Sequence, residues 1–191
     1  MASTRSIYLG PWRVDLTVRD GVRPPVSGAI LARAVAAAVL TAGAPSPASI
    51  GLILSDDAEL TVLNAAHLGK TGPTDVLSFP LLPPETFPGH PGATDWATDT
   101  ATAFPLPPGR RLHLGDIVIS VERAVEQAET GHGGQTSDRR WSPADELRLL
   151  ATHGALHICG WDHEEPAEET AMRELETRLL EPDAEPHPRD R

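Results

Sequence analysis

A chain of 191 residues is long enough for one well-buried core and does not require two domains. Its formal charge of −11 excludes a general polyanion binder, because counterion release needs lysine and arginine laid along the phosphates. The single cysteine, Cys159, excludes an internal disulfide and a cysteine-rich zinc knuckle, so any metal site must use histidine or carboxylates. Nucleic-acid contacts must therefore be local. Lys70 is the only lysine, and Arg110, Arg111, Arg123, Arg139, Arg140 and Arg148 are the places where a basic rim could form in the second half. The start, MASTRSIYLGPWRVD, lacks the basic, apolar and cleavable pattern of a secretory leader. The longest apolar run, Ala29 to Leu40, contains Arg33 and is too short for a bilayer, so a soluble cytoplasmic protein with no membrane partner is expected.

From Tyr8 to Val18 apolar and polar residues alternate, the period of a half-buried strand. Ser27 can cap a helix through Ile30, Leu31, Ala34, Val35, Ala38 and Val39 that stops at Gly43. Ser49 to Leu54 reads as a strand; Asp56 or Asp57 then caps a helix through Leu60, Leu63 and Asn64, broken by Gly69 and Gly72. Thr74 to Phe79 is a short strand ending against Pro80. Leu81 to Arg111, rich in Pro, Gly, Thr and Ala, reads as a long surface loop or insertion and a weak place for a core. Ile117 to Val121 resumes as a buried strand, followed by an alanine-rich helix from Glu122 to Thr130. Ser142 ahead of Pro143, with Asp145 and Glu146 in the first turn, opens a helix that runs to Cys159 and stops at Gly160. A last helix, about Pro166 to Leu180, precedes a polar tail over 181–191. The expected fold is α/β (α+β): a single domain over 1–180, with a small mixed β-sheet and helices packed on its faces.

The segment HGALHICGWDH, His153 to His163, concentrates three of the eight histidines. On a helix, His153 and His157 are four residues apart and share a face, so both imidazoles can reach one metal at about 2.0–2.1 Å. Gly160 can turn the chain left-handed and bring His163 back as a third ligand. Three protein ligands leave one position of a tetrahedral Zn²⁺ for water, the arrangement of a catalytic site, where the water can ionise near neutral pH. Cys159, about 200° around the helix from His157 by the 3.6-residue period, should face away as a small buried hydrophobe. The spacing also matches the metzincin pattern H-E-x-x-H-x-x-G-x-x-H, but Gly154 stands where the glutamate base of a peptidase would be.

HGALHICGWDH resembles the H-G-x-L-H-L-x-G-Y-D-H signature of the YbeY family, bacterial zinc-dependent endoribonucleases of rRNA maturation and ribosome quality control. GKTGPTDVLSFP (Gly69 to Pro80) is similar to the family's G-K-x-x-P-T-D-V-L-S-F-P, and LGDIVIS (Leu114 to Ser120) to its L-G-D-I-V-I-S. The three motifs follow in family order and, with the helices between them, cover about Ser49 to Leu180. The resemblance implies one Zn²⁺ per chain on His153, His157 and His163, single-stranded RNA or rRNA as substrate, and the ribosome or its associated proteins as partners. It also marks departures. The family usually carries Tyr-Arg before G-K, and Leu68 stands in the place of that arginine, so either Lys70 or an arginine such as Arg110 or Arg111 serves the phosphate instead, or the nuclease activity is weak or altered. Trp161 replaces the family's tyrosine, and the connection from Leu81 to Arg111 is longer.

Read from their own chemistry, Thr74 and Ser78 offer hydroxyls to a phosphate oxygen, or else serve turn and strand-end hydrogen bonds. Asp116, at the head of a strand, reads as a structural acceptor. Asp162, beside the third histidine, can hold an imidazole or the turn. The candidate catalytic residues are Lys70, Ser78 and Asp162, and the candidate substrate contacts Thr74, Arg110 and Arg111. The expected function is a metal-dependent single-strand endoribonuclease. The alternatives are a zinc metallopeptidase-like hydrolase and a non-catalytic zinc-binding factor of the ribosome.

Overall fold

The structure, a computed structural model, describes residues 2–91, 111–130, 142–163 and 165–181. Trp12, Val14 and Leu16 alternate inward along β2 (Trp12–Val18), as the period-two pattern requires. The reading of one strand from Tyr8 is corrected: Tyr8 lies across a Gly10-Pro11 turn, on an antiparallel strand β1 (Ser3–Leu9) paired with β2 from Ser3↔Val18 to Leu9↔Trp12. β1 is a sheet edge with mostly exposed residues, and only Ile7 and Leu9 at its end pack against the core, so burial left a short pattern in its sequence.

Helix α1 (Gly28–Thr41) connects β2 to a parallel neighbour, β3 (Ala48–Ser55), whose near-continuous apolar run fits a strand covered on both faces. Asp56 caps α2 (Asp57–Leu68) by accepting a hydrogen bond from the Glu59 amide at 2.9 Å. β4 (Val76–Pro80) pairs only with β5 (Leu112–Ser120), an edge position where Pro80 is tolerated. β5 is longer than the buried run that announces it. α3 (Val121–Thr130), α4 (Pro143–Ile158) and α5 (Pro166–Leu180) complete the chain, and the sheet order is β1-β2-β3-β5-β4. This is the expected α/β fold with a five-stranded mixed sheet.

The main core lies between the sheet and α1, α4 and α5, and it includes Leu31, Val35, Ile50, Leu52, Ile117, Leu147, Leu156 and Leu175. On the other face, Leu60 of α2 meets Leu77 and Val118 in a smaller cluster. The connection after β4 corrects the reading that it offers little to the core. Its first part makes a 3₁₀ turn, Pro84–Thr86, and sends Phe87 into the main core at 6% exposure. Residues 92–110, including Arg110, lie outside the described residues, as do 131–141 with Arg139 and Arg140, and the tail from 182. Among the described residues no helix is long and apolar enough to cross a membrane.

Phe87→Ala is expected to cost about 3–4 kcal/mol of unfolding free energy, the range for truncating a buried aromatic. Denaturant unfolding of the variant beside the parent measures it, and a loss under about 1 kcal/mol would show that the segment does not close the core.

Candidate metal centre

α4 starts with a reciprocal cap: the Ser142 hydroxyl accepts from the Asp145 amide at 3.2 Å, and the Asp145 carboxylate accepts from the Ser142 amide at 3.3 Å. Pro143 occupies the first turn, where its missing N–H leaves no acceptor unserved. The helix turns one face to the sheet through Leu147, Ala151, Gly154, Ala155 and Ile158. A Cβ on Gly154 would lie 2.7 Å from the Ile117 Cγ2 methyl and 3.1 Å from the Ser78 hydroxyl, so the helix approaches β4 and β5 closely there. The peptidase glutamate has no room at this position, because a side chain on residue 154 would enter the sheet rather than the face that carries the histidines.

His153 and His157 lie on that other face, half-buried, with their rings edge to face at 4.5 Å between centroids. The helix ends at Cys159, and Gly160 adopts φ 84°, left-handed backbone that favours glycine. The Trp161 amide donates to the Leu156 carbonyl at 3.2 Å and the Gly160 amide to the His157 carbonyl at 3.1 Å, the paired bonds of a Schellman turn. This turn returns His163 over the helix end, with ring centroids 5.8 Å from His153 and 5.2 Å from His157. One ligand nitrogen from each of the three histidines falls within 4.8 Å of the others, so the group could hold a metal ion.

The hydrogen bonds around the rings favour that use. His153 Nδ1 lies 2.7 Å from a Glu176 carboxylate oxygen, and His157 Nδ1 lies 2.8 Å from the Trp161 carbonyl. Both partners can accept, so in a neutral ring the proton sits on Nδ1 and Nε2 is the nitrogen that offers a lone pair. Those two Nε2 atoms face each other at 3.0 Å, close enough to share a proton or to converge on one metal ion. Two nitrogens bound tetrahedrally to one ion at about 2.0–2.1 Å stand about 3.3–3.4 Å apart, a few tenths of an ångström more than here, so the donor set fits Zn²⁺ with a small movement of the rings. Burial, helped by the neighbouring His153 and His163 imidazoles, pushes the His157 pKa down to about 4 and keeps its ring neutral at physiological pH.

The remaining candidates are placed as follows. Ser78 donates to the Gly154 carbonyl at 3.0 Å and so ties β4 to α4. Thr74 donates to Asp75 at 3.2 Å, and Asp75 also accepts from the Val76 amide at 2.8 Å and the Gln127 side chain at 3.0 Å, which fixes the start of β4. Asp162 holds the turn, accepting from the His163 amide at 2.7 Å, while the carboxylate that holds an imidazole is Glu176. Lys70 is exposed just beyond α2, near the exposed Leu68 at the end of that helix. Arg111 donates to the Pro11 carbonyl and lies 5.8 Å over the Tyr8 ring, contacts that tie it to the β1–β2 turn. Asp116 pairs with His113 at 3.2 Å. Cys159 is buried in the core, its thiol pushed up to about 12 by burial.

Sequence reasoning missed Glu176, which sits among the many acidic residues of α5 with nothing to distinguish it, and the Trp161 carbonyl, which a side-chain pattern cannot reveal. It read Glu146 only as a first-turn acid, whereas this residue, seven before His153 on the same helix, is 2% exposed. Burial, together with nearby Asp75, pushes its carboxyl up to about 7.

A mixed five-stranded sheet with three convergent imidazoles on one helix and the turn behind it makes an α/β domain whose histidine trio could hold a metal ion. Residues 27–182 match the family model described as Endoribonuclease YbeY, and the chain belongs to that family. It is 36% identical over 169 residues to the Endoribonuclease YbeY of Roseiflexus sp. (strain RS-1), covering 87% of this chain and 90% of that one. It is 35% identical over 181 residues to that of Gloeobacter violaceus, covering 94% and 80%, and 40% identical over 140 residues to that of Symbiobacterium thermophilum, covering 73% and 74%. The solution structure of TM1509 from Thermotoga maritima shares the fold with a TM-score of 0.50 at 20% identity, over 93% of this chain and 99% of that one.

Glu146 gives a pH-dependent outcome. Its folded pKa, about 7, lies above the ordinary 4.5, so the unfolded chain ionises first and stability is lost as pH rises through that interval. Glu146→Gln is expected to gain stability over the parent by about 1–3 kcal/mol between pH 5 and pH 8. Thermal melts at the two pH values measure this, and a difference independent of pH would contradict it.

Proposed function

We propose that this chain is a zinc-dependent endoribonuclease that cleaves phosphodiester bonds in single-stranded RNA, working in the cytoplasm in rRNA maturation and ribosome quality control. The observation that carries the reading is the pair of facing Nε2 atoms 3.0 Å apart, with His163 closing the trio, in a member of a family described as endoribonucleases. His153, His157 and His163 would hold the ion. Bound there, Zn²⁺ would supply Lewis acidity to a phosphate oxygen and lower the pKa of a water beside it.

The chain's own residues prepare that chemistry. Glu176 and the Trp161 carbonyl fix the His153 and His157 rings and their tautomers, so the lone pairs are aimed before an ion arrives. Asp162 sets the turn that delivers His163. His163 is exposed, so the trio is open to solvent on its side, where a long substrate can approach. Lys70 would neutralise a phosphate in place of the family arginine, with Arg110 as a further candidate, and Thr74, Ser78 and Arg111 would serve the substrate only by exchanging their present partners. A net charge of −11 gives this protein little general attraction for RNA. Binding would therefore rest on a local cleft and on ribosomal partners.

The exposed Leu68 favours a second reading, a ribosome-associated factor that uses zinc for folding. A single-stranded rRNA fragment incubated with zinc-verified protein separates the two. The endoribonuclease reading predicts cleavage that falls by on the order of 100-fold or more in folded His157→Ala, because even outer partners of a metal ligand cost 10–100-fold. Equal cleavage by both would contradict it. No cleavage by the zinc-loaded parent, with His157→Ala unfolded, would support the second reading.

A further inference from the structure

We propose that His90 is a positioning residue of the metal centre: stacked on Trp161 and donating to the Gly160 carbonyl, it holds the turn that sets both the second and the third histidine. The inference rests on the reading of His153, His157 and His163 as metal ligands. His90 comes from the connection after β4, a segment with no metal-binding pattern of its own, and its side chain is 5% exposed. Its ring lies parallel to the Trp161 indole, with centroids 4.1 Å apart and planes at 12°. Its Nε2 lies 3.3 Å from the Gly160 carbonyl and 3.5 Å from a Glu168 carboxylate oxygen.

These contacts meet the turn at three successive residues. Gly160 is held by its carbonyl to His90, and Trp161 by its ring to His90 and by its carbonyl to His157 Nδ1 at 2.8 Å. Asp162 is held by its amide, which donates to Glu168 at 2.6 Å through the same carboxylate oxygen that faces His90. The Trp161 carbonyl decides which nitrogen of His157 carries the proton, and the residue after Asp162 is His163. A rotation of this turn would therefore misdirect two of the three ligand nitrogens at once. The turn has no regular hydrogen-bond ladder beyond the Schellman pair, so its orientation depends on what packs against it. The segment carrying His90 is itself anchored. Phe87 enters the core, and Pro84 lies against Gly160, its Cα 3.3 Å from where a Cβ on that glycine would be. His90 thus couples a well-packed segment to the metal turn, as outer partners of metal ligands do elsewhere.

The test compares zinc affinity, by competition with a chromophoric chelator, in the full-length parent, His90→Phe and His90→Ala, alongside melting of the metal-free forms. His90→Phe keeps the stacked ring and loses the donor. It is expected to melt close to the parent when metal-free yet to bind Zn²⁺ about 10-fold or more weakly, with the Co²⁺-loaded form showing a shifted visible spectrum. His90→Ala, lacking stack and donor, is expected to bind more weakly still. Zinc affinity within about threefold of the parent in either folded variant would overturn the proposal. Failure of both variants to fold would overturn it too, showing that His90 serves the core rather than the site. A parent that binds no zinc would instead defeat the metal-ligand reading on which the proposal rests.

Discussion

The left-handed turn at Gly160 is the constraint on which the rest of this molecule's site depends. An α-helix can present His153 and His157 on one face by its own period, but it cannot supply a third ligand to the same point without reversing. The reversal needs positive φ, which glycine adopts without a Cβ penalty, and Gly160 takes it at 84°. The same turn aims the Trp161 carbonyl at His157 Nδ1. One backbone event therefore sets the direction of His163 and the tautomer of His157 together. Substituting a β-branched residue for Gly160 would strain both.

The opposite side of α4 explains why the segment begins H-G. Gly154 allows the helix to settle onto Ile117 and Ser78, and the Ser78 hydroxyl secures the approach through the Gly154 carbonyl. The helix axis, and with it both imidazoles, is fixed by a close contact on the sheet side. The two residues most often read as a motif, His153 and Gly154, thus point in different directions for different reasons. One faces the ion and the other faces the sheet. The electrostatics agree with this division: burial above all, with the neighbouring imidazoles, holds the His157 pKa down, so its lone pair is available without competition from a proton.

Much of this was legible in the sequence because it is periodic or local. The caps at Asp56 and Ser142, the stops at Gly69 and Gly160 and the buried runs of β3 and β5 all leave their marks within a few residues. The histidine spacing is of the same kind, and the three motifs led to the family. What stayed hidden depends on partners far apart in the chain. β1 turns only Ile7 and Leu9 toward the core, too few to pattern the strand, and it is placed by its pairing with β2. Phe87 and His90 sit in a Pro- and Gly-rich connection whose composition resembles a solvated loop, although their side chains are buried against α4 and its turn. Glu176 is one acid among several on α5, singled out only by its 2.7 Å approach to His153. Tertiary contacts made these assignments, and no window of sequence contains them.

X-ray absorption at the zinc edge of the loaded protein is the most direct measurement of the central claim, that three imidazoles converge through the Gly160 turn on one ion. The account predicts a first shell of nitrogen and oxygen at about 2.0–2.1 Å, without sulfur, and outer-shell scattering from three imidazole rings. A first shell containing sulfur, or scattering from only one or two rings, would contradict it.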